Sequence, residues 1–137
     1  MEFTSQICTT KEQSERLLAL GLKKETADIG LVGNIPIAIE DWKTRDTTLI
    51  DSLAWSFHRL IEMMPDEITI PDTYDNDNCE GEFEDLILEP ILSKKSVGYS
   101  DGYSTIFFED YDNIYDNIID CIEWLIEQEQ FNKEYLK

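Results

Sequence analysis

Apolar residues recur along the chain with two different spacings, and the alternation between the two predicts helices separated by strands. Near the N-terminus, Thr10 with Gln13, or Thr9 with Glu12, has capping-box spacing ahead of the apolar run RLLAL. A capping box satisfies backbone N–H groups that a first helical turn leaves free. This pattern therefore predicts a first helix over about 11–20.

The stretch SLAWSFHRLIEMMP predicts a second, short helix. Ser56 is a favourable N-cap residue, and Pro65 stops the helix because proline lacks a backbone N–H. Between these two positions the large apolar residues repeat at helical spacing and fall on one narrow face. These residues are Phe57, Leu60, Ile61 and Met64.

Strand signals fill much of the remaining chain. The run IGLVGNIPIAI (29–39) is rich in β-branched residues and is interrupted by Gly, Asn and Pro, which indicates extended chain or a short edge strand. Asp101-Gly102, placed between two strand-like runs, is typical of a β-hairpin. The other predicted strands cover 67–70, 86–92, 96–100 and 103–108.

Together these elements predict an α+β fold with 1–137 as a single domain. A small, mostly antiparallel sheet over about 86–108, joined by 67–70 and part of 29–39, is expected to pack against about three helices. The last helix is expected to be the longest and to lie across one sheet face. The segment 71–85 contains seven acids and predicts a mobile loop, because few apolar anchors offset the entropy of ordering it.

The last helix is predicted within YDNIYDNIIDCIEWLIEQEQ (111–130), which contains six carboxylates and no Lys or Arg. On a helical wheel the large apolar residues form one broad arc, which is the expected core-facing side. The carboxylates form a separate stripe with i,i+3 and i,i+4 spacing, where each like-charge pair costs roughly 0.2–0.5 kcal/mol. The stripe consists of Asp112, Asp116, Asp120, Glu123 and Glu127.

The helix dipole accounts for only part of this stripe. Acids near the N-terminal end of the helix are stabilised by the dipole, whereas Glu123 and Glu127 lie near its negative end. Trp124 falls beside the stripe, so either the C-terminal FNKEYLK or the acidic loop covers it, or it is exposed as an aromatic anchor for a partner. The candidate patch defined by this reasoning is Asp112, Asp116, Asp120, Glu123, Trp124 and Glu127.

The net charge of −19 is concentrated in the second part of the chain. Residues 1–59 hold nine acids and seven bases, a net of −2, whereas residues 60–137 hold twenty-one acids and four bases, a net of −17. Nucleic acids and anionic membranes are also densely negative, so we expect this protein to bind neither directly. We find no signal-peptide pattern, no run of membrane-spanning length and no CxxC motif, and we expect a cytoplasmic protein with reduced thiols.

The sequence contains no recognisable catalytic motif. The single histidine, His58, has Glu62 one turn later, which favours a surface ion pair over a general base or half a metal site, since no second His or nucleophile motif accompanies it. The run DNDNCEGE (75–82) is superficially similar to a calcium loop, but Cys79 stands where an oxygen ligand is required. We therefore expect a protein that is not an enzyme and that has no cofactor and no metal.

Three stretches resemble a group of small uncharacterised proteins from gut Bacteroidales genomes and their phages and integrated mobile elements. These stretches are CTTKEQSERLLALGLKKETADI, LAWSFHRLIEMMP and YDNIIDCIEWLIEQEQFNKEYL. The pattern differs where this chain has Leu53, since the group often has Pro before Ala-Trp-Ser, and at Ile29-Gly30, where the group tends to have an aromatic pair. No activity is known for the group, so the resemblance implies a bacterial or phage setting and no chemistry.

Two functions remain open from the sequence. In the first, the protein is a small accessory or adaptor module that binds another protein, with a basic partner as one option, through the last helix and Trp124. In the second, it is a nucleic-acid mimic that inhibits a host DNA-binding or defence protein. Carboxylates four apart on a helix are about 6 Å apart along its axis, broadly like phosphates along one DNA strand. We favour the adaptor, because an acidic surface also serves solubility.

Overall fold

The chain folds into α-helices and antiparallel sheets that form two compact units. The first unit combines Met1–Met64 with Phe131–Lys137, and the second is Pro65–Gln130. The α+β prediction is confirmed, whereas the single-domain assignment stays a prediction. The predicted acidic loop at 71–85 lies outside the described residues, apart from its last residue. The computed structural model describes residues 6–33, 35–39, 50–70 and 85–137.

Helix α1 (Lys11–Ala19) begins at the predicted capping box. The Thr10 hydroxyl accepts the Gln13 backbone N–H at 3.2 Å, and the Gln13 side-chain oxygen accepts the Thr10 N–H at 2.9 Å. Gly21 follows the helix with φ +105°, a left-handed conformation that glycine adopts without steric cost. The helix buries Leu17 completely and packs against the sheet of the first unit.

The sheet of the first unit has three antiparallel strands in the order β2-β1-β3. Strands β1 (Ile29–Val32) and β2 (Ile35–Ala38) form the extended segment predicted over 29–39. Strand β3 (Ser52–Ala54) pairs with the other side of β1. The prediction that part of 29–39 joins the sheet of the second half is therefore wrong, because these residues pair with β3 instead.

Helix α2 (Phe57–Met63) follows the predicted boundaries, with the Ser56 hydroxyl accepting the Arg59 N–H at 3.1 Å. Just before it, Trp55 is fully buried. The Trp55 indole donates to the Thr26 hydroxyl at 3.0 Å, and its backbone N–H donates to the Thr9 hydroxyl at 3.0 Å. Trp55 therefore joins the N-terminal segment to the turn before β1, within one unit.

The second unit contains a four-stranded antiparallel sheet, and all of its strands were predicted. At the tip of its last hairpin, the Asp101 carboxylate accepts the N–H groups of Tyr103 and Ser104 at 2.8 and 2.6 Å, which lowers the pKa of Asp101. Gly102 in the same turn has φ +92°. The strands, in their order across the sheet, are β4 (Ile68–Ile70), β5 (Leu86–Leu92), β6 (Val97–Ser100) and β7 (Thr105–Phe108).

Helix α3 (Ile114–Glu127) is the longest helix among the described residues and packs against β6 and β7, as predicted. It begins later than the sequence suggests, because Asn113 caps it and accepts the Tyr115 N–H at 2.8 Å. Tyr111 and Asp112 therefore precede the helix instead of forming its first turn. The buried side chains are Tyr115, Asn117, Ile118, Ile119, Cys121, Ile122 and Leu125.

Candidate protein-interaction surface

The two faces of the second sheet differ in what they contact. Side chains of directly opposed residues in antiparallel strands lie on the same face, and successive residues alternate between faces. In β6 and β7, Tyr99 is opposed to Ile106 and Gly98 to Phe107. Tyr99 is fully buried, whereas Phe107 is 47% exposed. The Tyr99 side therefore faces the interior, and Phe107 lies on the outer face.

Trp124 contacts β7 through its ring. The centroids of the Trp124 and Phe108 rings are 5.8 Å apart, and the ring planes are tilted by 52°. Both residues are half-buried. The contact with Phe108 was not among those expected from the sequence, and the choice between a covered and an exposed Trp124 stays a prediction.

The half-burial of Trp124 follows from the width of the buried side of α3. Cys121 and Asn117, one and two turns before Trp124 on the same side, are fully buried. The predicted core-facing arc counted only large apolar residues and therefore ended short of this side. Trp124 lies at the border between the buried side and the acidic stripe, where one part of the ring packs and the other meets solvent.

The acidic residues of the candidate patch are brought together on α3, with one exception. Asp116, Asp120 and Glu123 are half-buried on the helix, and Glu127 is exposed at its end. Asp112 lies in the segment before α3, fully exposed, with its Oδ1 3.6 Å from the Lys95 Nζ. Trp124 and the helical carboxylates thus share α3, while Asp112 belongs to the neighbouring turn.

Asn117 positions this turn and was not identified from the sequence. Its side chain accepts the Tyr111 N–H at 3.0 Å and donates to the Tyr111 carbonyl at 2.8 Å and the Lys95 carbonyl at 2.6 Å. The residue is completely buried. Asn is unfavourable in the middle of an amphipathic helix unless its side chain bonds nearby backbone groups. The presence of Asn at this helical position was therefore the sequence signal for such a role. Asn117 thereby holds Tyr111 and its neighbours against α3.

Exposed aromatic residues surround β7. Tyr103, in the turn before the strand, is 98% exposed, and Tyr111, just after it, is 48% exposed. Aromatic side chains are costly to leave in water and are enriched at binding hot spots. The following segment adds two exposed acids, Glu109 and Asp110. We call the aromatic set the β7 surface: Tyr103, Phe107, Phe108, Tyr111 and Trp124.

The buried thiols lack the environment of reactive cysteines. Burial, with a smaller contribution from Asp120, raises the pKa of Cys121 to about 12. Burial and the nearby Asp28 carboxylate also raise the pKa of Cys8. Because the thiolate is the nucleophilic form, both groups are poorly reactive at neutral pH.

The single histidine pairs with Glu62 on the surface of α2. The Nε2 of His58 lies 2.6 Å from the Glu62 Oε1, and the His58 side chain is 83% exposed. This is the surface pair expected from the i,i+4 spacing, an ion pair when His58 is protonated. No group of three potential metal ligands occurs within the described stretches. The segment similar to a calcium loop, 75–82, lies outside those stretches.

A cavity with a volume of about 570 Å³ lies in the first unit. It is lined by the N-terminal segment around Ile7 and Cys8, the start of α1 and the β1–β2 hairpin with Pro36. In the described part of the chain, every buried side-chain nitrogen or oxygen has a hydrogen-bond partner. No orphaned polar group therefore points to a ligand in this cavity.

Comparisons with protein-family models, curated proteins and solved structures find no match to this chain. None of the described helices has both the length and the apolar character needed to cross a membrane.

Proposed function

We propose that this protein is a small acidic accessory or adaptor module that binds a basic protein through the β7 surface and the carboxylates of α3. The observation that carries the proposal is the position of Trp124. Its half-buried ring packs on Phe108 while lying beside Asp120, Glu123 and Glu127. A packed but partly exposed aromatic residue within a charged rim is the usual composition of an interface anchor.

The electrostatics support a basic partner. The second unit holds nineteen acids and two bases, a net charge of −17. Such a surface attracts positively charged proteins and accelerates their encounter.

The aromatic residues support a protein partner over pure charge attraction. Phe108 and Trp124 form a tilted pair, an arrangement worth about 0.5–1.5 kcal/mol beyond the burial of area. The pair holds the Trp124 ring in place before binding, so little side-chain entropy is lost when a partner covers it. Further exposed aromatic residues lie on and next to the same strand: Phe107 on its outer face, and Tyr103 and Tyr111 in the segments before and after it.

The alternative, a nucleic-acid mimic, draws on the line of carboxylates along α3. Asp116, Asp120, Glu123 and Glu127 follow one another at i,i+3 and i,i+4 over a helix of 14 residues. A mimic needs carboxylates in the place of phosphates, but it does not need exposed aromatic residues beside them. The β7 surface therefore favours the adaptor.

A two-stage binding experiment tests the proposal. Tagged protein is used to capture partners from a Bacteroidales lysate at low and moderate salt, and an identified partner is then purified and titrated with the wild type and variants. We expect Trp124→Ala, and the double change Glu123→Gln with Glu127→Gln, to weaken binding at least tenfold. The matched control is Glu12→Gln with Glu15→Gln on α1, which alters the net charge equally and should not change binding.

Stability measurements accompany the titrations. Urea unfolding should place the double Gln variant within about 0.5 kcal/mol of the wild type, as for other surface changes. Trp124→Ala should cost less than the roughly 3–5 kcal/mol of a fully buried aromatic residue. A loss of that full size would identify Trp124 as a core residue, and equal binding by all variants would overturn the proposal. Capture of a DNA-binding protein that duplex DNA displaces would favour the mimic.

A further inference from the structure

Strand β7 is at one edge of its sheet. Within the described stretches it pairs with β6 alone, and the strand order β4-β5-β6-β7 leaves its other side open. An edge strand presents backbone N–H and C=O groups that can pair with another chain. Residues on β7 that point these groups outward can be identified from the hydrogen-bond pattern of the hairpin.

The hairpin shows which pairs are hydrogen-bonded. The Asp101 N–H donates to the Ser104 carbonyl at 3.2 Å, so this pair, next to the turn, is hydrogen-bonded. Hydrogen-bonded and non-hydrogen-bonded pairs alternate along an antiparallel ladder. Since Thr105 is opposed to Ser100, the next residue pair is non-hydrogen-bonded.

Continuing the alternation along β7, Ile106 bonds to β6 and Phe107, opposite Gly98, does not. The N–H and C=O groups of Thr105 and Phe107 therefore point away from β6, towards the open edge. These four backbone groups, spaced two residues apart, can form hydrogen bonds with an added antiparallel or parallel strand. Among the described residues nothing pairs with these groups, which lie beside the exposed Phe107 ring.

The surroundings of this edge indicate the chemistry of the strand that fits. On the outer face, an added strand meets Phe107, and on the inner face it meets Phe108 and Trp124. Beyond Trp124 lie the carboxylates of α3. A Lys or Arg side chain on the inner face can cover an aromatic ring with its aliphatic part and reach a carboxylate with its charged end.

We propose that β7 accepts an extended basic segment of a partner protein as a fifth strand. This inference rests on the proposed function and specifies how the partner binds. A second copy of this chain is a poor occupant of the edge, because it would bring another unit of net charge −17 against the first. Opposite charge instead favours a segment in which Lys or Arg alternates with β-branched residues.

Defined peptides test this mode of binding. The probe is a fluorescein-labelled seven-residue peptide of alternating Lys and Val, and its control has Pro in place of each Val. Both peptides have the same charge, but the Pro peptide lacks alternate amide donors and cannot pair as a regular strand. We expect the Lys-Val peptide to bind the full-length protein at least tenfold more tightly by fluorescence anisotropy.

Two variants at one position separate the backbone from the ring. Phe107→Pro removes the aromatic ring and the outward N–H, whereas Phe107→Val removes the ring alone. Neither change removes a hydrogen bond to β6. We expect Phe107→Pro to weaken the Lys-Val peptide at least tenfold and Phe107→Val by less than fivefold, with circular dichroism confirming that both variants fold.

Amide hydrogen exchange provides a measurement on the unaltered protein. Saturation with the Lys-Val peptide should slow exchange at the Thr105 and Phe107 amides, whereas the Pro peptide should not.

Two results together would overturn the strand pairing: an equal loss of peptide affinity in both Phe107 variants, and no slowing of exchange by the Lys-Val peptide. The adaptor function would survive that outcome if Trp124→Ala still weakens partner binding. If no variant affects any ligand, both proposals fail. Concentration-dependent dimerisation lost in Phe107→Pro would assign the edge to a second copy and overturn the basic-segment proposal.

Discussion

Replacing Asn117 with Ala is expected to destabilise the second unit by about 3 kcal/mol. The side chain makes three hydrogen bonds to backbone, two with Tyr111 and one with Lys95. A buried hydrogen bond contributes about 1 kcal/mol net, and the three together give the expected total. Because Asn117 is completely buried, its amide makes these hydrogen bonds to the protein and not to solvent in the native state.

The measurement is urea unfolding followed by circular dichroism. With a slope of about 2 kcal/mol per molar urea, a loss of about 3 kcal/mol lowers the midpoint by about 1.5 M. Asn117→Asp keeps the shape of the side chain but turns both donors into acceptors that face the carbonyls of Tyr111 and Lys95. It should therefore be at least as destabilising, since the buried carboxylate keeps a single donor, the Tyr111 N–H, and its other oxygen faces two carbonyls.

The matched control is Asp112→Asn, in the turn that Asn117 holds. Asp112 is fully exposed and has one surface ion pair with Lys95, so its replacement should alter stability by less than about 0.5 kcal/mol. A loss below about 1 kcal/mol in Asn117→Ala, with an unchanged slope, would falsify the view that this network stabilises the unit. In that case Tyr111 would be held by something other than the Asn117 amide.

Two other predictions concern the interior of the second unit. A Cβ added at Gly98 would lie 1.9 Å from the Ile106 carbonyl oxygen, so Gly98→Ala should lower the free energy of unfolding by about 1–3 kcal/mol or more. The comparison is Gly102→Ala, where φ is +92° but no atom lies within 4 Å of the added Cβ. In urea unfolding, the loss of stability in Gly98→Ala should be the larger of the two. Because the pKa of Cys121 is raised from its ordinary 9.0 to about 12, its thiol stays protonated in the folded chain after it ionises in the unfolded chain. The contribution of this thiol to stability is therefore complete below about pH 9 and is lost between about pH 9 and 12, at about 1.4 kcal/mol per pH unit. The free energy of unfolding should accordingly fall less steeply with pH in Cys121→Ala than in the wild type. An equal decline in both proteins would contradict the assigned burial effect.

Local signals predicted the elements that depend on local physics. The capping box at Thr10, the Ser56 cap before α2 and the Asp101-Gly102 turn each satisfy backbone groups within a few residues, and each lies where the sequence indicates. Strand β3 was missed because Ser52–Ala54 is short and precedes a helical pattern. Its pairing with β1 depends on tertiary structure, which the spacing of apolar residues along the sequence does not predict.

The candidate surface was predicted in composition but not in geometry. The stripe and Trp124 could be read from spacing on α3, because a helical wheel depends only on sequence. The contact of Trp124 with Phe108 depends on which strand lies beneath the helix. The role of Asn117 likewise depends on tertiary structure, because its side chain bonds the Tyr111 carbonyl before α3 and the Lys95 carbonyl in an earlier turn. No local sequence pattern predicts that these segments lie next to Asn117.

The first unit is completed by the last residues of the chain. Leu22 pairs with Leu136 in an isolated bridge, the Lys137 N–H donates to the Gly21 carbonyl at 2.9 Å, and Phe131 is buried. The first unit is thus discontinuous in sequence, with the whole of the second unit inserted between its two parts. Bringing two distant chain segments together costs closure entropy that grows with the length of the loop between them. Within the second unit, the Gln130 side chain donates to the Thr69 carbonyl at 2.7 Å, so the two ends of this unit lie near each other. Folding of the second unit therefore shortens the loop that the first unit has to close.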